Sequence, residues 1–166
     1  AASIREAEPY IRYRARNDPE KKVREEALKA LGGFGGGENL DLLREILQDK
    51  KSSVDSRTAS FSVLLERDPN GSRRELDKVL SAESAGKDKS LYKAFLRALS
   101  QTKEEGAAPL VETYLLRSED HADRMAGIEW ARRNKVRSLR PLIAAMAETD
   151  KAEAVKKRAA AALEDF

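Results

Sequence analysis

The sequence predicts an all-α fold, an α-solenoid built from antiparallel helical hairpins. The prediction rests on the composition and on two short apolar motifs that recur at nearly constant spacing. Ala, Glu, Lys, Leu and Arg, which all favour helices, supply 94 of the 166 residues. Charged residues reach 37% and apolar residues only 40%, a balance typical of a thin array in which each unit packs only on its neighbours.

The first motif predicts the first helix of each hairpin. It reads EALKAL, ASFSVL, AFLRAL, AGIEWA and RAAAAL, in copies that begin at Glu26, Ala59, Ala94, Ala126 and Arg158. The copies lie 32 to 35 residues apart, a period typical of stacked helical hairpins. Their apolar residues recur at three- and four-residue intervals, which indicates helices that bury one face.

The second motif predicts the second helix of each hairpin. It reads LREIL, LDKVL, LVETY and LIAAM, beginning at Leu43, Leu76, Leu110 and Leu142, with Tyr10 in the same register one step upstream. Pro9, Pro109 and Pro141 directly precede three of these positions, and proline is tolerated in the first turn of a helix. Between the two motifs lie glycines that we expect to end the first helices: Gly32, Gly33, Gly71 and Gly106. We therefore predict one array over residues 1–166, with hairpins at 19–49, 52–82, 87–117 and 119–148 and half repeats at 4–17 and 151–165.

The segment from Asp18 to Gly32 reads DPxxxVRxxALxALG, and it resembles the HEAT-like repeat first noted in phycobilisome lyases. The resemblance extends along the chain as about four full repeats with a half repeat at each end. It implies that an arginine in each first helix ties adjacent repeats together, which gives a structural role to Arg24, Arg57 and Arg124. Tyr92 departs from that register.

The last predicted helix has an alanine-rich face with no partner after it. We therefore expect the chain to be a fragment of a longer protein. The alternative is a short array whose terminal helices serve as caps.

The sequence favours a chain with no catalytic, metal or cofactor site. It contains no cysteine and a single histidine, His121, beside two acids. The His-Glu pairs that hold iron in deoxyhypusine hydroxylase, an enzyme with such repeats, have no counterpart here, and no motif matches the HEAT-like DNA glycosylases or bilin lyases. The run Gly32–Gly37 lacks the Lys-Ser/Thr of a phosphate-binding loop and is predicted to be a turn. No apolar run is long enough for a membrane span. The lack of cysteine slightly favours the cytoplasm and leaves the periplasm open.

The leading functional prediction is a non-enzymatic scaffold that binds another protein on its concave face. In α-solenoids the second helices line that face, and the position after each leading leucine is polar in the first two hairpins (Arg44, Asp77) and apolar in the last two. Val111, Leu115, Ile143 and Ala147 could therefore form an apolar strip that accepts a helix or an extended segment of the partner. The alternative is that packing buries these side chains.

The segment 132–140 suggests a second function, salt-sensitive binding of nucleic acid. It carries five positive charges and no acid: Arg132, Arg133, Lys135, Arg137 and Arg140. Such a run can also be an ordinary solvated surface. Next to it, Trp130 stands in a register that holds Ala or Val in the other copies, while its neighbour Ala131 replaces a leucine. Because that exchange conserves volume, we predict that Trp130 is a core residue; the alternative is an anchor for a partner.

Overall fold

The computed structural model of the chain describes residues 6–166, so the predicted start of the first half repeat at residues 4 and 5 lies outside the described part. Within residues 6–166 there are ten α-helices and no strand. They are α1 (Glu8–Asn17), α2 (Lys21–Phe34), α3 (Gly37–Gln48), α4 (Val54–Arg67), α5 (Arg73–Ala85), α6 (Ser90–Gln101), α7 (Ala108–Val111), α8 (His121–Arg133), α9 (Arg140–Thr149) and α10 (Glu153–Leu163). The predicted fold class, an all-α chain of helical hairpins of the α-solenoid type, is confirmed.

The helices differ from the predicted ranges mainly at their ends. α5 and α9 run past the predicted limits at 82 and 148, and a π-helical turn, Glu112–Leu116, extends α7. The three prolines each lie in the first turn of a second helix, α1, α7 or α9, as predicted. The chain forms two compact units: the first ends at Ala98 and the second is Leu99–Phe166. The single array over residues 1–166 stays a prediction.

The turn between α2 and α3 is shorter than predicted, because α2 continues through Gly32 and Gly33 to Phe34. Only Gly35 and Gly36 form the turn, at φ values of 67° and 84° that other residues rarely adopt. Gly32 has a packing role instead: a Cβ built there would lie 2.2 Å from Cγ1 of Val63. The glycine therefore lets the backbone of α2 approach α4 closely.

The core of the first unit is the set of apolar residues that the two motifs align. Leucines of α2 to α5 are fully buried, namely Leu28, Leu31, Leu43, Leu47, Leu64, Leu76 and Leu80. The rings of Phe61 and Phe95 stack among them with centroids 4.4 Å apart. Stacking of aromatic rings adds to the gain from burial itself.

Two arginines of the first unit tie a helix to the chain that precedes it. Nη1 of Arg24 donates to the backbone oxygens of Asp18 and Pro19 at 2.7 and 3.1 Å. Nε of the buried Arg57 donates to the backbone oxygen of Leu47 at 2.9 Å, and its Nη2 donates to Glu83 at 2.9 Å. Arg57 thus satisfies a carbonyl group in the last turn of α3, which the helix end leaves unpaired, and Arg24 satisfies two carbonyl groups in the connection between α1 and α2.

The second unit repeats this arrangement and contains the largest buried side chain. Arg124 donates to the backbone oxygens of Ser118 and Glu119 at 2.9 and 3.0 Å. It also donates to both carboxylate oxygens of Asp150, each at 2.8 Å. Trp130 is 0% exposed, and its Nε1 donates to the backbone oxygen of Thr102 at 2.7 Å. The prediction that Trp130 is a core residue is confirmed.

Candidate protein-binding surfaces

Three of the four residues of the predicted apolar strip of the second unit are buried. Val111 and Ile143 are 0% exposed, Leu115 is 1% exposed and Ala147 is half-buried. Gly127 of α8 explains the burial of Leu115, because a Cβ at that glycine would lie 3.0 Å from Cβ of Leu115. The backbone of α8 therefore rests directly on this side chain. This corrects the expectation of an exposed strip: of the two alternatives left open by the sequence, burial by packing is the one found.

The basic segment 132–140 does not present all five of its charges freely. Arg132 pairs with Glu129 at 2.5 Å and with Asp165 at 2.7 Å, and these hydrogen bonds raise the pKa of its guanidinium. Arg133 donates to the backbone oxygen of Ser100 at 2.8 Å. Three further cations are exposed and make no ion pair with any residue from 6 to 166: Lys135, Arg137 and Arg140. The carboxylates thus compensate one of the five charges.

Two exposed tyrosines distinguish the first unit. Tyr10 and Tyr13 lie one turn apart on α1 and are 61% and 62% exposed. The register of Tyr10 is the one that holds Leu43 and Leu76, which are both fully buried. A position that belongs to the core in the other hairpins of this unit is therefore an exposed aromatic ring on α1.

A groove of about 540 Å³ lies beside Tyr13, between the second helices α1 and α3. Its lining consists of Arg12, Tyr13, Arg16, Asn17, Glu38, Asp41, Leu42 and Glu45. We call Tyr10, Tyr13 and this groove the tyrosine face. Its residues come from two elements that the hairpin repeat sets side by side, which is why no single sequence motif marks it.

The polar rim of the tyrosine face is held by a network centred on Arg12. Its guanidinium donates to Glu38 and Glu8, each at 2.6 Å, and to Oδ1 of Asn39 at 2.7 Å. The hydrogen bonds to Glu38 and then to Glu8 raise the pKa of Arg12. Asn39 is itself buried and donates to Glu8 and to the backbone oxygen of Gly35. Arg16 pairs with Glu45 across the same groove.

The ring of Tyr10 is held as well. The guanidinium carbon of Arg14 lies 5.5 Å from the ring centroid, within the range of a cation–π contact. Nε of Arg14 is 2.7 Å from Oδ2 of the buried Asp18. Contacts within the first unit therefore hold the ring of Tyr10 as well as the polar rim.

His121, the single histidine, starts α8 at an exposed position, with Nδ1 3.8 Å from Oδ1 of Asp120. Among residues 6–166, no helix combines the length and apolar character needed to span a membrane.

Comparison with known families supports the hairpin as the repeating unit. Residues 23–49 match the family model described as PBS lyase HEAT-like repeat, and this stretch covers most of α2 and all of α3. The comparison with curated proteins found no match to the chain. The match agrees with the resemblance stated for residues 18–32. Residues 23–49, which form most of the α2–α3 hairpin of this all-helical fold, are therefore similar to the HEAT-like repeat of PBS lyases.

Proposed function

We propose that the chain is a non-enzymatic protein-interaction scaffold and that a partner protein binds the tyrosine face of its first unit. The HEAT-like helical repeat fold is generally suited to protein interaction. The observation that carries the choice of surface is the exposure of Tyr10 and Tyr13 beside a groove with a fixed polar rim.

The side chains of this face are of the kinds that contribute most to protein–protein binding. Tyrosine and arginine are enriched among the residues whose truncation weakens interfaces most. A tyrosine ring offers a large contact area with few rotatable bonds, and its hydroxyl group can hydrogen-bond at the rim. Because Arg12 and Arg16 are already paired, binding would cost little additional side-chain ordering.

The test begins with a photo-crosslinking amino acid in place of Tyr13, expressed in the source organism, with the same amino acid at Lys157 of α10 as control. The proposal predicts a crosslinked protein from position 13 that position 157 does not give. The partner is then purified, and its dissociation constant is measured by calorimetry.

Two double variants decide the outcome. Tyr10→Ser/Tyr13→Ser should weaken binding at least about tenfold, since one such residue at the centre of an interface contributes about 2 kcal/mol. Glu153→Ser/Lys157→Ser, an exposed pair on α10, should leave the dissociation constant unchanged. Equal affinity of the two variants for the partner would contradict the assignment of the tyrosine face.

Nucleic-acid binding through segment 132–140 is not proposed. The family match lends it no support, and Arg132 of that segment is compensated by two carboxylates.

A further inference from the structure

A second groove, of about 500 Å³, lies on the first-helix side of the first unit. It follows α4, with walls from α2 and α6. The lining residues on which the argument depends are Glu25, Val54, Thr58, Ser62, Val63 and Glu66. None of these residues belongs to the tyrosine face.

The floor of this groove is apolar although it contains two hydroxyl groups. Oγ1 of Thr58 donates to the backbone oxygen of Val54 at 2.8 Å, and Oγ of Ser62 donates to that of Thr58 at 3.0 Å. Both hydroxyl donors are therefore used within α4. Val54 is 46% exposed, one of the few large apolar side chains exposed in the described part. Three other lining residues, Ala59, Ser62 and Ala94, are small, so another helix could approach α4 closely.

The rim of the groove carries negative charge. Asp55 is paired with Lys21 at 2.9 Å, and the only cation of the lining, Lys29, is held by Glu26 at 2.8 Å. Glu25 has only a distant contact with Lys21, at 3.9 Å. Glu66 makes no ion pair with any described residue. The hydrogen bond to Glu26, and then the nearby charges of Glu25 and Glu66, raise the pKa of Lys29. The three carboxylates of the lining still outnumber its one cation, on a chain whose net charge is +3.

We propose that this groove docks a basic amphipathic α-helix of a partner protein. The apolar face of that helix would cover the floor from Val54 to Val63, and its lysine or arginine side chains would pair with Glu25 and Glu66. Val54 and Val63 are nine residues apart on α4, roughly 14 Å at 1.5 Å per residue, so a docking helix needs about ten to fourteen residues. Laying the apolar face of a helix in a groove is a common mode of peptide recognition, and the complementary charges select a basic helix.

This site and the tyrosine face would let one unit hold two partners on different helices. The groove along α4 and the tyrosine face share no residue, so each can be tested without the other. Loss of peptide binding to the α4 groove leaves the crosslinking result at Tyr13 unaffected.

The probe for this groove is a synthetic, fluorescein-labelled peptide of about fourteen residues, with leucine and alanine on one helical face and lysine on the rest. A second peptide has glutamate in place of lysine. Fluorescence anisotropy with the wild-type chain should give at least about tenfold tighter binding of the lysine peptide. The affinity should fall as salt is raised, because exposed charges are screened.

Variants of the rim locate the binding. Glu25→Lys/Glu66→Lys should weaken binding of the lysine peptide about tenfold or more and improve that of the glutamate peptide. The matched control Glu148→Lys/Glu153→Lys makes the same charge change at exposed positions of the second unit and should weaken the lysine peptide less than threefold. Circular dichroism checks that both variants are folded.

Three results would overturn the proposal. The first is equal binding of the two peptides to the wild type, and the second is an equal effect of the two charge-reversal variants. The third is a wild-type dimer in sedimentation velocity that Glu25→Lys/Glu66→Lys dissociates, because the occupant would then be a second copy of the chain. The salt titration of the wild type needs no variant, so it tests the charge argument even where a variant is unfolded.

Discussion

Replacing Trp130 with alanine removes the largest fully buried side chain in the described part of the protein. The cavity and the lost burial together cost about 3–5 kcal/mol for such a substitution. The variant also removes the donor to the Thr102 backbone oxygen, leaving only Nδ2 of Asn134 at 3.4 Å. A weakly satisfied buried acceptor adds about 1 kcal/mol. Since single domains are stable by only about 5–15 kcal/mol, Trp130→Ala should leave the second unit close to unfolding.

Thermal melting followed by far-ultraviolet circular dichroism measures this effect. In a unit of this size, about 1 kcal/mol lowers the melting temperature by roughly 4–8 °C, so we expect a fall of about 15 °C or more. Trp130→Phe keeps most of the ring but not the hydrogen bond, and it should cost about 1–3 kcal/mol. The control Tyr13→Ala removes an aromatic ring that is 62% exposed and should change the melting temperature by no more than about 3 °C. An unchanged melting temperature in Trp130→Ala would refute the core assignment.

Three further predictions follow from the packing and the charges. Gly32→Ala should destabilise the first unit by about 1–3 kcal/mol in urea unfolding, because its Cβ would meet Val63 at 2.2 Å. Adding Val63→Ala should recover part of the lost stability. If the losses of the two substitutions are instead additive, the close approach of α2 to α4 is contradicted. Leu115→Glu should lower the melting temperature of the second unit, because it places a carboxylate at a position that is only 1% exposed. A melting temperature equal to that of the wild type would show that the position is accessible to solvent. The hydrogen bond from Arg124 lowers the pKa of Asp150, so the stability from this pair is present above the unfolded pKa, near 3.9, and is lost as pH falls through the lower folded value. The wild type should therefore lose more stability than Asp150→Asn between pH 5 and pH 2, and parallel losses would contradict the pairing.

The helical hairpins could be predicted from the sequence because their signal is local. Three- and four-residue spacing of apolar residues and prolines in the first turn depend only on neighbours along the chain. Trp130 could be placed in the core for a similar reason: its large side chain is compensated by the small Ala131 in the next register.

The candidate surfaces were harder to predict because exposure depends on what packs against a helix. Val111 and Leu115 occupy registers that are polar in the first two hairpins, but the close approach of α8 at Gly127 buries Leu115. The π-helical turn Glu112–Leu116 also rotates the following residues relative to a regular helix. Neither feature has a reliable sequence signal.

The tyrosine face shows the opposite case. Tyr10 falls in a core register by sequence, yet it is exposed on α1. The sequence offered one indication of this exposure, the residue type. The equivalent positions in the other hairpins of this unit hold leucine, whereas tyrosine carries a polar hydroxyl group. The groove beside it requires the side-by-side placement of α1 and α3, which repeat spacing alone does not specify in detail.

The measurement that tests the central claim most directly is hydrogen–deuterium exchange of the wild-type chain, alone and with the purified partner that crosslinking at position 13 identified, bound without a crosslink. Binding on the tyrosine face predicts slower exchange in α1 and α3, the helices that form it, and unchanged exchange in α10. Protection confined to other helices, with α1 and α3 unchanged, would contradict the account.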